Sequence, residues 1–156
     1  MEPAIMAEYS ETCELCTSTG GDPLWGNTLC RVVHITDPDY PGFCRVILNR
    51  HVREMTDLAD EEQNEMMRVV FAVEATVRQL LKPDKINLAS LGNMTPHVHW
   101  HIIPRWQGDR CFPNPIWASV QRDGALPPVT VDIALLKKGL VARLGESTLT
   151  SLGGSS

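Results

Sequence analysis

The chain has 156 residues, 43% hydrophobic and 21% charged, with a formal net charge of −5. That length fits one domain of the common range of about 100–150 residues, with enough apolar material for a core. The acidic balance, with no block of Lys or Arg, excludes wrapping of nucleic acid, whose phosphates must be met by clustered cations.

The first ten residues carry Glu2 and Glu8 and no long apolar run. Neither a signal peptide nor a membrane span is expected there, so a cytoplasmic location and no membrane partner are expected. Thiols stay reduced in the cytoplasm, and the five cysteines are not expected to form a disulfide framework. Cys13-Glu-Leu-Cys16 has the spacing of a zinc-ligand pair, because two thiolates three apart can grip one tetrahedral ion.

Residues 28–35 are rich in β-branched side chains and bounded by Gly26-Asn27 and Asp37-Pro38, which predicts a strand. The Pro/Gly turn over 37–42 leads to a second strand at 43–48, giving an antiparallel hairpin. From about Asp57 to Leu81, Met66, Val70, Val73, Val77 and Leu80 recur at helical spacing and form one apolar stripe. Thr56, Asp57 and Asp60 are its capping candidates, the acidic run from Asp60 suits the positive end of the helix dipole, and Pro83 ends it. Residues 86–91 form a third strand and 97–103 a fourth, stopped by Pro104. The proline-rich stretch 109–128 is irregular, and 131–144 forms a shorter C-terminal helix. No internal repeat is present. Together these elements predict one α+β domain over 1–146, a largely antiparallel sheet with one long helix, followed by a flexible Ser/Thr/Gly-rich tail over 147–156.

Side chains alternate faces along a strand, so His97, His99 and His101 share one face while Val98, Trp100 and Ile102 pack into the core from the other. Three of the five histidines of the chain stand at this spacing. Such a row can be a satisfied polar face, a shared metal site, or a nucleophile flanked by phosphate ligands.

The run His-Val-His-Trp-His-Ile-Ile-Pro-Arg, from His97 to Arg105, resembles the His-φ-His-φ-His-φ-φ signature of the histidine triad family. The order of the upstream elements is also similar: Cys-x-x-Cys, a Pro-Gly turn between strands, Asn49-Arg50-His51, an Asp57-Leu58 helix start and Gly92. The resemblance implies a histidine triad fold and a nucleotide hydrolase or transferase that acts at the α-phosphate. Dinucleoside polyphosphates are the first substrate class it suggests and nucleoside phosphoramidates the second.

By this resemblance His99 is the nucleophile of a covalent nucleotidyl-histidine intermediate, His101 and Asn93 hold the phosphate, and amides near Thr95 assist. His97 completes the catalytic row, cationic imidazole carries the phosphate charge, and no metal serves the chemical step. Asp37 is the candidate for the ribose hydroxyls. Members with a Cys, Cys, His, His set imply structural zinc on Cys13, Cys16, His51 and His97, and the family implies a homodimer joined through the long helix and a strand edge. The chain departs from the family pattern at Met94, where Ser or Thr is common, at Phe43, where His is common, and in the short loop between Asn87 and Gly92. Two other readings remain: a metal-dependent hydrolase using all three histidines, and a nucleotide-binding module without turnover. Arg105, at a strand end, is expected to be a solvated charge, and Trp117 a packing residue, with closure over the site or a dimer partner as its second reading.

Overall fold

The computed structural model describes residues 8–149. Among them, five strands form one antiparallel sheet in the order β1-β2-β3-β5-β4: β1 (Asp22–Gly26), β2 (Cys30–His34), β3 (Cys44–Leu48), β4 (Lys85–Ala89) and β5 (His99–Arg105). A short helix α1 (Glu14–Thr17) precedes the sheet. The long helix α2 (Asp60–Leu81) links β3 to β4, and α3 (Ile133–Leu144) follows β5. No described helix is long and apolar enough to cross a membrane.

The predicted hairpin is β2–β3, in register from Cys30↔Leu48 to His34↔Cys44. Its turn begins with Asp37, whose carboxylate accepts from the Asp39 amide at 2.9 Å, and ends at Gly42, whose φ of 83° suits a residue without Cβ. Strand β1 was not anticipated, because Pro23 and a bulge between Pro23 and Trp25 interrupt its alternation.

On α2, Met66, Val69, Val70, Val73 and Val77 are buried against Val32, Val46, Leu48 and Ile102 of the sheet, and Leu136 and Leu140 of α3 join them. Truncating one such large side chain to Ala typically costs about 2–5 kcal/mol. The stripe ends before Leu80, which lies at the surface. The helix starts at Asp60 after Ala59, and the Glu62 carboxylate accepts from the Ala59 amide at 3.1 Å, so none of Thr56, Asp57 or Asp60 caps it. Asp132 does cap α3, accepting from the Leu135 amide at 3.1 Å.

Strand β5 does not stop at Pro104. Pairing with β3 ends at Cys44↔Ile102, whereas pairing with β4 runs on to Lys85↔Arg105. The proline's missing N–H therefore breaks no bond on the vacated side. The tail's first residues also differ from expectation: Thr148 donates to the Gly26 carbonyl at 2.9 Å and Ser147 Oγ accepts from the Gly26 amide at 3.0 Å, tying them to β1. Residues 150–156 of the expected tail, and Glu2, lie outside the described residues.

Helices α2 and α3 cover one face of the sheet. The opposite face is not open: α1 packs Cys13 and Leu15 on Val33 and Ile47, and Tyr40 and Phe43 pack on Ile103. The histidines lie between these two small clusters.

Candidate active site and metal cluster

The register sets which side chains meet. Ile47 opposes His99, Arg45 opposes His101 and Val33 opposes Arg45, so these five share the face away from α2 and α3. Val98, Trp100 and Ile102 pack with the helix-side core, as alternation predicts. His34 lies on the helix side, opposite Cys44.

His99 and His101 line a cavity of about 400 Å³ together with Arg45, Gly92, Asn93, Met94, Thr95 and Trp117, walled by Glu14, Leu15 and Leu91. That volume lies in the range of small-ligand sites, roughly 300–1,000 Å³. The ring of His99 is oriented by its neighbour. Its Nδ1 lies 2.6 Å from the His97 carbonyl oxygen, which can only accept, so Nδ1 carries the proton and Nε2 keeps its lone pair. The strand is pinned at the same residue by Ser90, which donates to the His99 carbonyl at 2.7 Å.

The His101 ring stands edge-on to three rings, with centroids 4.9 Å from His99, 5.0 Å from Trp117 and 5.7 Å from Phe43. Its Nδ1 is buried without a partner. Burial, then the fields of His99 and Arg45, pushes His101 down to about 4. Burial likewise lowers His99, against the bond to the His97 carbonyl. Burial thus favours the neutral form of both imidazoles in the empty cavity.

His97 does not line this cavity. It precedes β5, is buried, and its Nε2 donates to the Leu48 carbonyl at 2.6 Å. That leaves the Nδ1 lone pair facing Cys13 Sγ at 3.4 Å and Cys16 Sγ at 3.5 Å. Cys16 Sγ is also 3.4 Å from His51 Nδ1, and the four donor atoms all lie within 4.8 Å of one another. Donors about 2.0 and 2.3 Å from one tetrahedral ion stand about 3.5 Å apart, so this set fits a closed structural metal site. The bond from the His97 ring to the Leu48 carbonyl fixes the ring's orientation, as metal-ligating histidines usually require. The His51 amide donates to the Glu8 carbonyl at 2.8 Å, closing the N-terminal segment over the cluster.

Among the other expected positions, Asn93 and Thr95 reach the cavity and Asp37 does not, its carboxylate capping the β2–β3 turn instead. Met94 is 97% exposed at the mouth. Gly92, at φ 81°, turns the loop there, so a side-chain-bearing residue would be strained although its Cβ would meet only ordinary contacts with Thr95 and Pro96.

One expectation about a single residue is reversed. Arg105 is no solvated charge: it is 1% exposed, forks onto Asp109 at 2.7 and 2.9 Å, and donates to Asn87 Oδ1 and the Asn114 carbonyl. Trp117 reaches the cavity wall. It is carried by the irregular segment that Asp109 organises by accepting from the Cys111 and Phe112 amides. Arg45 was missed altogether. Its signal was a lone cation inside the apolar run Cys44-Arg-Val-Ile-Leu48, where a buried strand rarely carries charge without a partner.

The chain matches the HIT domain model over residues 23–108. Among curated proteins it is 31% identical over 81 residues to AP-4-A phosphorylase of Mycobacterium tuberculosis, covering 48% of this chain and 42% of that one. It is 26% identical over 91 residues to the asymmetrical bis(5'-nucleosyl)-tetraphosphatase of Schizosaccharomyces pombe, covering 55% and 50%. The chain thus spans half or less of the curated relatives it matches. Among solved structures, a histidine triad protein from Marinobacter aquaeolei superposes with a TM-score of 0.67 at 28% identity, covering 85% of this chain and 97% of that one. One from Bradyrhizobium japonicum gives 0.61 at 27% identity, with 78% and 88% covered. With the model spanning more than half of the chain and the triad on β5 and its approach, the protein belongs to the histidine triad (HIT) family.

Proposed function

We propose that the protein is a nucleotide hydrolase or transferase that cleaves dinucleoside polyphosphates at the α-phosphate through a nucleotidyl-His99 intermediate. One observation carries the reading: His99 Nδ1 is held by the His97 carbonyl, which leaves a neutral, unprotonated Nε2 in a cavity of nucleotide-site size. The names of the curated relatives supply the substrate class.

In the first displacement the His99 Nε2 lone pair forms an N–P bond and the bridging P–O bond breaks. Its electron pair leaves on the departing phosphate chain. In the second, water attacks the same phosphorus, loses a proton, and returns the N–P pair to the ring, releasing a nucleoside monophosphate. Inorganic phosphate in place of water releases a diphosphate. Asn93, the amides near Thr95 and the Nε2–H of neutral His101 donate to the phosphoryl oxygens as charge builds there.

Zinc on Cys13, Cys16, His51 and His97 is part of the proposal, as a structural ion that ties the N-terminal segment to the start of β5. A cytoplasmic homodimer also belongs to it. Phe71 on α2 and Leu88 on the edge strand β4 are exposed large apolar side chains where two copies would join.

Separating products tests the reaction. Diadenosine tetraphosphate incubated with the protein should give AMP and ATP in plain buffer, and ADP in place of AMP if phosphate is the better acceptor. No product from either incubation, at protein concentrations that exhaust the substrate for a relative, rules the reaction out. A phosphoramidate cleaved faster than the tetraphosphate would move the proposal to that class.

A further inference from the structure

The cavity contains one cation that the chemistry above does not use. Arg45 stands directly across the β3–β5 ladder from His101 and lines the same wall. Its Nε is buried without a hydrogen-bond partner. Four ion pairs form among the described residues and none includes Arg45. The acidic group whose field reaches it is Glu14, which lines the same cavity, and Phe43 supports the guanidinium with Cζ 5.6 Å from its ring centroid. A guanidinium stays charged at any working pH and offers a donor fork matched to phosphate oxygens.

Leaving such a donor without an acceptor in a partly buried wall costs stability, so its presence there points to a ligand anion. The neighbouring groups make the same demand. His101 Nδ1 is itself buried without a partner, and Met94 brings no hydroxyl to the mouth where a leaving group would exit. Something else must meet the negative charge of a departing phosphate chain, and Arg45 is the cationic side chain that lines the cavity.

We infer that Arg45 is the ligand for the phosphate chain beyond the scissile phosphorus, so that the site selects substrates with an anionic polyphosphate leaving group over those with a neutral amine. This rests on the cavity being a nucleotide site, the reading proposed above. The chain then takes nucleoside polyphosphates as a class, and AMP alone occupies the site without engaging Arg45.

Calorimetric titration of the whole chain with AMP and with α,β-methylene-ATP, which cannot be cut at the α-phosphate, separates the two phosphate positions. The wild type should bind the methylene analogue more tightly than AMP. Arg45→Met should reduce that preference about tenfold or more, the scale of one charge-assisted contact, and change AMP affinity less than about threefold. If Arg45→Met lacks a cooperative unfolding transition, Arg45→Gln is read in its place with the same expectation. A preference unchanged within about twofold overturns the inference, and so does an AMP affinity that falls as far as the analogue's.

Turnover of diadenosine tetraphosphate by the wild type is measured alongside. No turnover with a collapsed preference in the variant removes the hydrolytic reading and leaves Arg45's role standing. Turnover with an unchanged preference removes Arg45's role and leaves the reaction.

Discussion

His97 faces two ways at once: its ring nitrogen Nδ1 looks onto Cys13 Sγ at 3.4 Å, while its backbone carbonyl takes the His99 Nδ1 proton at 2.6 Å. One residue therefore joins the metal-fitting cluster to the proposed nucleophile. The joint is stiff, since the His97 ring is fixed from its other side by the Leu48 carbonyl and His97 is 1% exposed.

Cys13→Ala should consequently lower bound zinc from about one ion per chain to well below half, as read by elemental analysis. It should also lower the unfolding temperature and reduce kcat by about 10- to 100-fold, the usual effect of loosening a metal site's support. Full zinc content with unchanged kcat in this variant would separate the two sites and remove the joint.

Titration of the His101 ring by nitrogen-detected NMR should show it neutral from pH 8 down to about 5, with protonation near 4. Burial is the first cause, followed by the His99 and Arg45 fields, so Arg45→Met should move the midpoint upward. The folded value lies below the usual one near 6.5, so the unfolded chain binds this proton first. Stability from this group is present above about 6.5 and is lost as pH falls toward 4. A His101 midpoint at or above 6.5 would restore imidazolium as the phosphate's counter-charge.

Arg105 and Asp109 form a buried pair that organises the segment carrying Trp117. Removing one partner strands a buried charge, so Asp109→Ala should destabilise the fold by about 3–5 kcal/mol in urea unfolding. Burial raises the Asp109 carboxyl, but hydrogen bonds from Arg105 and the Phe112 and Cys111 amides outweigh it and hold the group below its ordinary range. Its contribution is present above that range and disappears as pH falls through the lowered value. Asp109→Ala should also free the Trp117 segment, giving faster proteolysis between 110 and 122 while β5 stays protected. A loss below about 1 kcal/mol would make the pair ornamental to the fold.

Much of the architecture was legible because it follows from side-chain periodicity. Met66, Val70, Val73 and Val77 mark the buried face of α2, and Val98, Trp100 and Ile102 mark the core side of β5, from spacing alone. Elements that depend on neighbours were not legible. Strand β1 hides behind a bulge and a proline, and β5 runs past Pro104 only because β3 ends beside it. The site divided in the same way. Cys13, Cys16, His51 and His97 converge as the family resemblance implied, whereas the row of three histidines splits, because His97 turns its ring to the cysteines before β5 begins. Asp37 spends its carboxylate on the turn, and Arg45 and the buried fate of Arg105 appear only once strand register and the covering loop are known.

The proposed reaction requires that His99 Nε2 form a bond to the α-phosphorus. Acid-free quenching of the protein during turnover of diadenosine tetraphosphate, followed by peptide mass spectrometry, tests it most directly. One adenylyl group is expected on the peptide carrying His99, removed by acid as a phosphoramidate bond should be, with neither adduct nor turnover in His99→Ala. Turnover by His99→Ala within about tenfold of the wild-type rate would contradict it.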